Sequence, residues 1–118
     1  MSVFSFENLD VWQESRNLVK ETYLLMRVFP FEERYALCNQ IRRAVVSVPS
    51  NIAEGAGRMS NKEKSHYIEI AYGSLMEVYC QMQIARDLEY ISEEQLTSIR
   101  NRVFRISKML SALHKSFQ

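Results

Sequence analysis

Two histidines, two cysteines and a row of arginines are the side chains through which this chain could do chemistry. Glu63-Lys-Ser-His66 is an E-x-x-H, the unit that a di-iron helical bundle uses twice to hold its metals. The second histidine, His114, follows Ser111 where that unit requires a glutamate, so the pattern predicts no di-metal centre and no metal. Cys38 and Cys80 form no short-spaced pair, which predicts free packing thiols in a reducing compartment. Gly55-Ala-Gly57 could cradle a phosphate, but a phosphate loop needs G-x-x-x-x-G-K and a Ser or Thr after a strand. Neither the lysine nor the strand is present, and the two glycines read as a helix C-terminus and turn. Two histidines so placed build no Ser-His-Asp or Cys-His nucleophile. The expectation is no catalytic residue, no enzyme and no cofactor.

The arginines point to binding instead. The stretch "RRAVVSVPSNIAEGAGR" runs from Arg42 to Arg58. On a helix at roughly 100° per residue, Arg43, Ser47, Asn51, Glu54 and Arg58 fall within an arc of about 80°. One reading seals a helix–helix contact, with Arg43 paired to a glutamate across the bundle. The other is a recognition surface for an anionic ligand or RNA, with Arg42 and Arg58 as its contacts. Residues 95–118 add Arg100, Arg102, Arg105, Lys108 and Lys115 without an acid. The first 94 residues hold ten basic and fourteen acidic side chains, so a net charge of +1 hides a basic end on an acidic body. That end is a solvated face or a surface for an acidic partner.

Helices must position these residues. At 118 residues, with three Gly and two Pro, the chain reads as one all-α domain over 1–118. Leu96, Ile99, Val103, Ile106, Leu110, Leu113 and Phe117 mark one helical stripe behind the capping box Ser92-Glu-Glu-Gln95. Ser60-Asn-Lys-Glu63 is a second capping box, before a stripe of Ile68, Ala71, Leu75, Val78, Met82 and Ala85. Val11/Trp12, Leu18/Val19 and Leu25/Met26 repeat at heptad spacing in a first helix that Pro30 stops. Leu37, Ile41, Ala44, Val48 and Ile52 keep helical phase across Pro49, which predicts one helix kinked there rather than a break. The helices are expected at about 8–28, 31–58, 61–89 and 93–117, as an up-down-up-down four-helix bundle.

The third helix carries a second seam. His66, Ile70, Gly73, Glu77, Cys80 and Ile84 recur at steps of four and three on the face away from its core stripe. A glycine there costs roughly 1 kcal/mol of helix propensity and lets another backbone approach. Self-association is the natural inference, with a different protein partner as the alternative. Glu77 is a partner for Arg43, within or between subunits. No run reaches the ~18 apolar residues of a membrane span. The stretch MSVFSFENLD has no positive charge and predicts no secretory signal, so a cytoplasmic location is expected.

The run "FPFEERYALCNQIRRAVVSVPSNIAEGAGRMSNKEKSHYIEIAYGSLMEV" resembles the 23S rRNA intervening sequence proteins, also called S23 ribosomal proteins. The likeness starts at "FENLDVWQES" and is most specific in "QIRRAVVSVPSNIAEG" and "AYGSLMEV". Arg42, Arg43, Ser47, Pro49, Asn51, Glu54, Gly55, Gly73, Ser74 and Glu77 match the family's motif. The resemblance implies a four-helix bundle without established enzyme activity. It is similar in fold to the accessory protein of diversity-generating retroelements, a homopentamer that binds nucleic acid and a reverse transcriptase. It therefore implies a pentamer, with RNA or DNA, or a protein, as partner. Repeated around a ring, Arg102, Arg105, Lys108, Arg42 and Arg58 would give salt-dependent backbone affinity without base readout. The alternative is a protein-interaction scaffold or accessory subunit without nucleic-acid contact.

Overall fold

A computed structural model describes residues 3–118. A 3-10 turn over Ser5–Asn8 leads into α1 (Asp10–Met26), and a second over Phe31–Glu33 precedes α2 (Leu37–Ala56). Then come α3 (Asn61–Asp87) and α4 (Glu93–Ser116), with no strand among the described residues. Each helix packs on two neighbours: α2 on α1 and α3, and α4 on α3 and α1. Their directions follow from side-chain pairs. Ser47 meets Ser74 and Arg58 meets Tyr67, so α2 and α3 are antiparallel. Arg105 and Arg102 meet Glu14 and Glu21, which sets α4 against α1. Arg100 and His114 meet Tyr79 and Glu69, which sets α4 against α3. The result is the expected up-down-up-down bundle.

The periodic apolar positions form its centre. Leu18, Ile41, Val45, Val48, Ile52, Leu75, Met82, Leu96, Ile99, Ile106 and Leu110 are fully buried, each contributing about 1.5–3 kcal/mol by leaving water. Leu113 and Phe117, the end of the predicted α4 stripe, pack only partly buried against this core. The Ser92 box forms as read: Ser92 Oγ accepts from the Gln95 amide at 3.1 Å and Gln95 Oε1 from the Ser92 amide at 2.8 Å. Of the second box only the Ser60 half is present, its Oγ accepting from the Glu63 amide at 3.1 Å. Glu89 turns the chain out of α3 with φ 64°, a conformation that costs a non-glycine residue roughly 1 kcal/mol.

The second helix starts at Leu37, not Phe31. Phe31 and Tyr35 are 76% and 79% exposed, so a helix extended upstream would bury nothing to offset its ordering. Ala36 (φ −118°, ψ −102°) interrupts the helical path and offers no side-chain cap. Past that point α2 runs through Pro49, with Val45 and Val48 fully buried around it. Pro49 has no amide to give the Val45 carbonyl. Pro49→Ala restores that bond and is expected to raise stability by as much as ~3 kcal/mol. Chemical denaturation checks this, and an unchanged or lowered midpoint contradicts it.

Candidate functional site

Where α2 meets α3, the polar row of α2 finds partners. Ser47 Oγ and Ser74 Oγ share a hydrogen bond at 2.8 Å. Asn51 Nδ2 donates to both the carbonyl and the Oγ of Ser47 at 2.8 Å. Arg58 Nη2 donates to Glu54 Oε2 at 3.0 Å and to the Tyr67 hydroxyl at 2.6 Å. Its guanidinium lies 4.6 Å from the Tyr67 ring centre. Hydrogen bonding to Tyr67, then to Arg58, holds the Glu54 carboxyl below the ordinary carboxylate range. The bond to Glu54 in turn raises the Tyr67 phenol. Gly55 permits this closeness: a Cβ there would sit 2.9 Å from Tyr67 Cβ. Neither Gly55 nor Gly57 has a positive φ, so Gly55 is required for space rather than for its dihedrals.

Further along the same edge the seam opens into a cleft of about 440 Å³ lined by Gln40, Arg43, Ser47, Ser74 and Glu77. Arg43 is exposed, and no ion pair joins it to Glu77 or any other acid among the described residues. Glu77 instead accepts from Gln81 Nε2 at 3.2 Å. The buried Gln81 Oε1 has no hydrogen-bond partner. Arg43, expected to pair within or between subunits, thus has no ion pair within the chain among the described residues, while Arg58, expected as a ligand contact, is bonded to Glu54 and Tyr67.

The outer face of α3 carries the second seam. His66, Ile70, Gly73, Glu77, Cys80 and Ile84 are all exposed. A Cβ on Gly73 would meet nothing within 4 Å. Tyr72 and Met76 are exposed too, but Tyr72 turns toward α4, where it lines a cleft with Glu69, Ser111 and His114.

The other predicted basic contacts are divided. Arg102 Nε bonds Glu21 at 2.8 Å and Arg105 Nη1 bonds Glu14 at 2.7 Å, across α4 and α1. Lys108 Nζ lies 5.1 Å from the Phe104 ring centre. Arg42 Nη2 donates to the Arg34 carbonyl at 2.8 Å. Sequence reasoning missed Glu14 and Glu21, whose spacing by seven was visible but whose neighbour was not. His114 bonds Glu69 at 2.8 Å, while His66 stacks edge-on to Tyr67. No group of three or more His, Cys, Asp or Glu is placed to hold a metal among the described residues. Among the described residues no helix is long and apolar enough to cross a membrane.

These features define a four-helix-bundle protein with a polar inter-helix seam and a bare outer face. The chain belongs to the 23S rRNA-intervening sequence protein family, whose model matches residues 7–112. A solved structure from Bacteroides thetaiotaomicron VPI-5482, a protein of unknown function from the S23 ribosomal protein family, is similar with TM-score 0.80 and 25% identity. The match covers 89% of this chain and 95% of that one. No curated protein matches.

Gly55→Ala forces Tyr67 and α3 outward and is expected to cost about 1–3 kcal/mol as an overpacked contact, read as a lowered melting temperature. Glu14 tests the α1–α4 pairing. Its carboxyl is lowered from 4.5, chiefly by the hydrogen bond from Arg105. A lowered folded value means stabilisation that is full above the unfolded value and lost as pH falls through the folded one. Wild type is therefore expected to lose more stability than Glu14→Gln on acidification below pH 4.5, measured by urea titration at each pH. Parallel pH profiles contradict the pairing.

Proposed function

We propose that this chain is a non-catalytic accessory protein that works by self-assembly and partner binding, with the outer face of α3 as its assembly surface. One observation carries the reading: a helix already buried on one side presents Ile70, Gly73, Cys80 and Ile84 to solvent along one stripe on the other. Ile70 and Ile84 are 37% and 42% exposed, and apolar side chains left open along one stripe suit an interaction site. Gly73 lets a second copy's helix approach without a side chain between the backbones. Arg43 and Glu77 border that face, and each is open to a partner from the neighbouring copy. The retroelement accessory proteins, to which the family's fold is similar, suggest a ring of five. Two unpaired thiols, Cys38 and Cys80, support a cytoplasmic setting.

Nucleic-acid binding around such a ring is the second reading. Lys108 favours it, since it reaches no carboxylate and would be repeated in every copy. It rests on fewer cations than the sequence offers, because Arg58, Arg102 and Arg105 are held by Glu54, Glu21 and Glu14. A salt-titrated mobility shift with structured RNA tests it, with Lys108→Gln expected to weaken retention.

Light scattering on the purified chain tests assembly. The particle is expected at a multiple of 13.9 kDa, with Ile70→Glu and Ile84→Glu each returning it to one chain while the helical circular dichroism is kept. A wild-type monomer, or an assembly indifferent to both changes, overturns the reading.

A further inference from the structure

At the corner between α1 and α2, Arg42 is joined by arginines from outside its own helix. A pocket of about 380 Å³ opens there, floored by Phe29 and Cys38. Arg27, Arg34 and Arg42 line it, with Tyr23 and Phe31, and no carboxylate is in its wall. None of the three arginines has an ion pair among the described residues, whereas Arg58, Arg86, Arg102 and Arg105 all do. Arg42 is held in place by its bond to the Arg34 carbonyl at 2.8 Å. The nearby acid, Glu33, is engaged elsewhere, accepting from the Tyr90 hydroxyl at 2.7 Å and the Leu37 amide at 3.4 Å.

Three guanidinium groups without an ion-pair partner, around a concave surface, leave a positive potential that the single nearby carboxylate of Glu33 offsets only in part. Guanidinium is also the group best shaped to bind phosphate through paired N–H donors. Beside them Phe31 is 76% exposed, on a turn that keeps it out of the core. An exposed aromatic ring among cations is a platform on which a base can stack. The volume falls in the range of a small-ligand pocket. The geometry points to a nucleotide site: a base against Phe31 and Tyr23, and its phosphate on Arg27, Arg34 and Arg42. An acidic peptide would use the arginines and leave Phe31 idle. The same base-and-phosphate unit comes either as a free nucleotide or within a single strand. The site does not depend on assembly through α3.

Isothermal titration calorimetry at low salt, with adenosine triphosphate and separately with an oligouridylate of ~10 nucleotides, distinguishes the sources. Binding of either is expected to weaken about tenfold in Phe31→Ala, the size of one lost stacking contact, and at least as much in Arg27→Gln. Phe104→Ala, which removes an exposed ring beside Lys108 on another face, is expected to leave it unchanged. Triphosphate binding with this pattern assigns a free nucleotide; binding of the oligouridylate alone assigns a strand. Inorganic pyrophosphate or a polyglutamate peptide binding as tightly as the nucleotide overturns the site, as does indifference to Phe31→Ala or no binding at all. Particle mass measured on the same samples reads the α3 assembly separately.

Discussion

The contact between α2 and α3 sets the geometry of the rest of the molecule. Ile41, Val45, Val48 and Ile52 are fully buried on one helix, as are Leu75, Val78 and Met82 on the other. Their combined burial far exceeds the ~1 kcal/mol net worth of each hydrogen bond beside them. Burial alone would tolerate sliding, because one apolar residue can replace another at a similar height. The seam removes that freedom. Tyr67 fits only where Gly55 leaves room for it, and Ser74 then falls opposite Ser47. A slip of one turn would press Tyr67 against residues that bear side chains and would separate the two serines. Apolar area drives the pairing, and one glycine with one tyrosine fixes its register.

That register has an electrostatic counterpart on the opposite side of the bundle. The basic residues 95–118 and the acidic first 94 residues look like separate surfaces in sequence, but antiparallel packing lays α4 along α1. Arg102 and Arg105 then meet Glu21 and Glu14. Such half-exposed pairs add little stability each. Their larger effect is to remove positive potential from α4. Arg58, at the end of α2, is quenched in the same way by Glu54. Among the described residues the arginines of the α1–α2 corner and Arg43 keep no ion pair, so folding neutralises part of the basic α4 while leaving these cations open.

The apolar stripes were legible in the sequence because helical period and burial coincide at nearly every position, from Ile68 to Ala85 and from Leu96 to Leu110. The outer stripe of α3 was legible as a helical period alone, its residues being exposed, and the family was legible through the run around Pro49. Three things were not. The start of α2 was misplaced because Phe31 and Tyr35 are apolar by type yet exposed in place, and residue type cannot report that. The partners of the arginines were hidden because charge pairing across α1 and α4 joins residues about 80 positions apart. Gly55 was read as a helix-end signal, when its reason lies in a ring twelve residues further on.

Gly73 separates the two glycine roles most clearly. Gly55 is explained by its own fold, since Tyr67 occupies the space a side chain would need. Gly73 sits in the interior of α3, where glycine costs roughly 1 kcal/mol relative to alanine, and nothing lies within 4 Å of the missing Cβ. An alanine would therefore stabilise the isolated chain without touching any neighbour. The flanking surface, with Ile70, Met76 and Ile84 turned to solvent, likewise adds nothing to the core. The glycine disfavours the single chain and the exposed apolar surface adds nothing to it, whereas under the proposed assembly both would gain from another backbone laid against α3. The helix that organises the bundle on its inner side thus carries, on its outer side, the surface that the proposed assembly would cover.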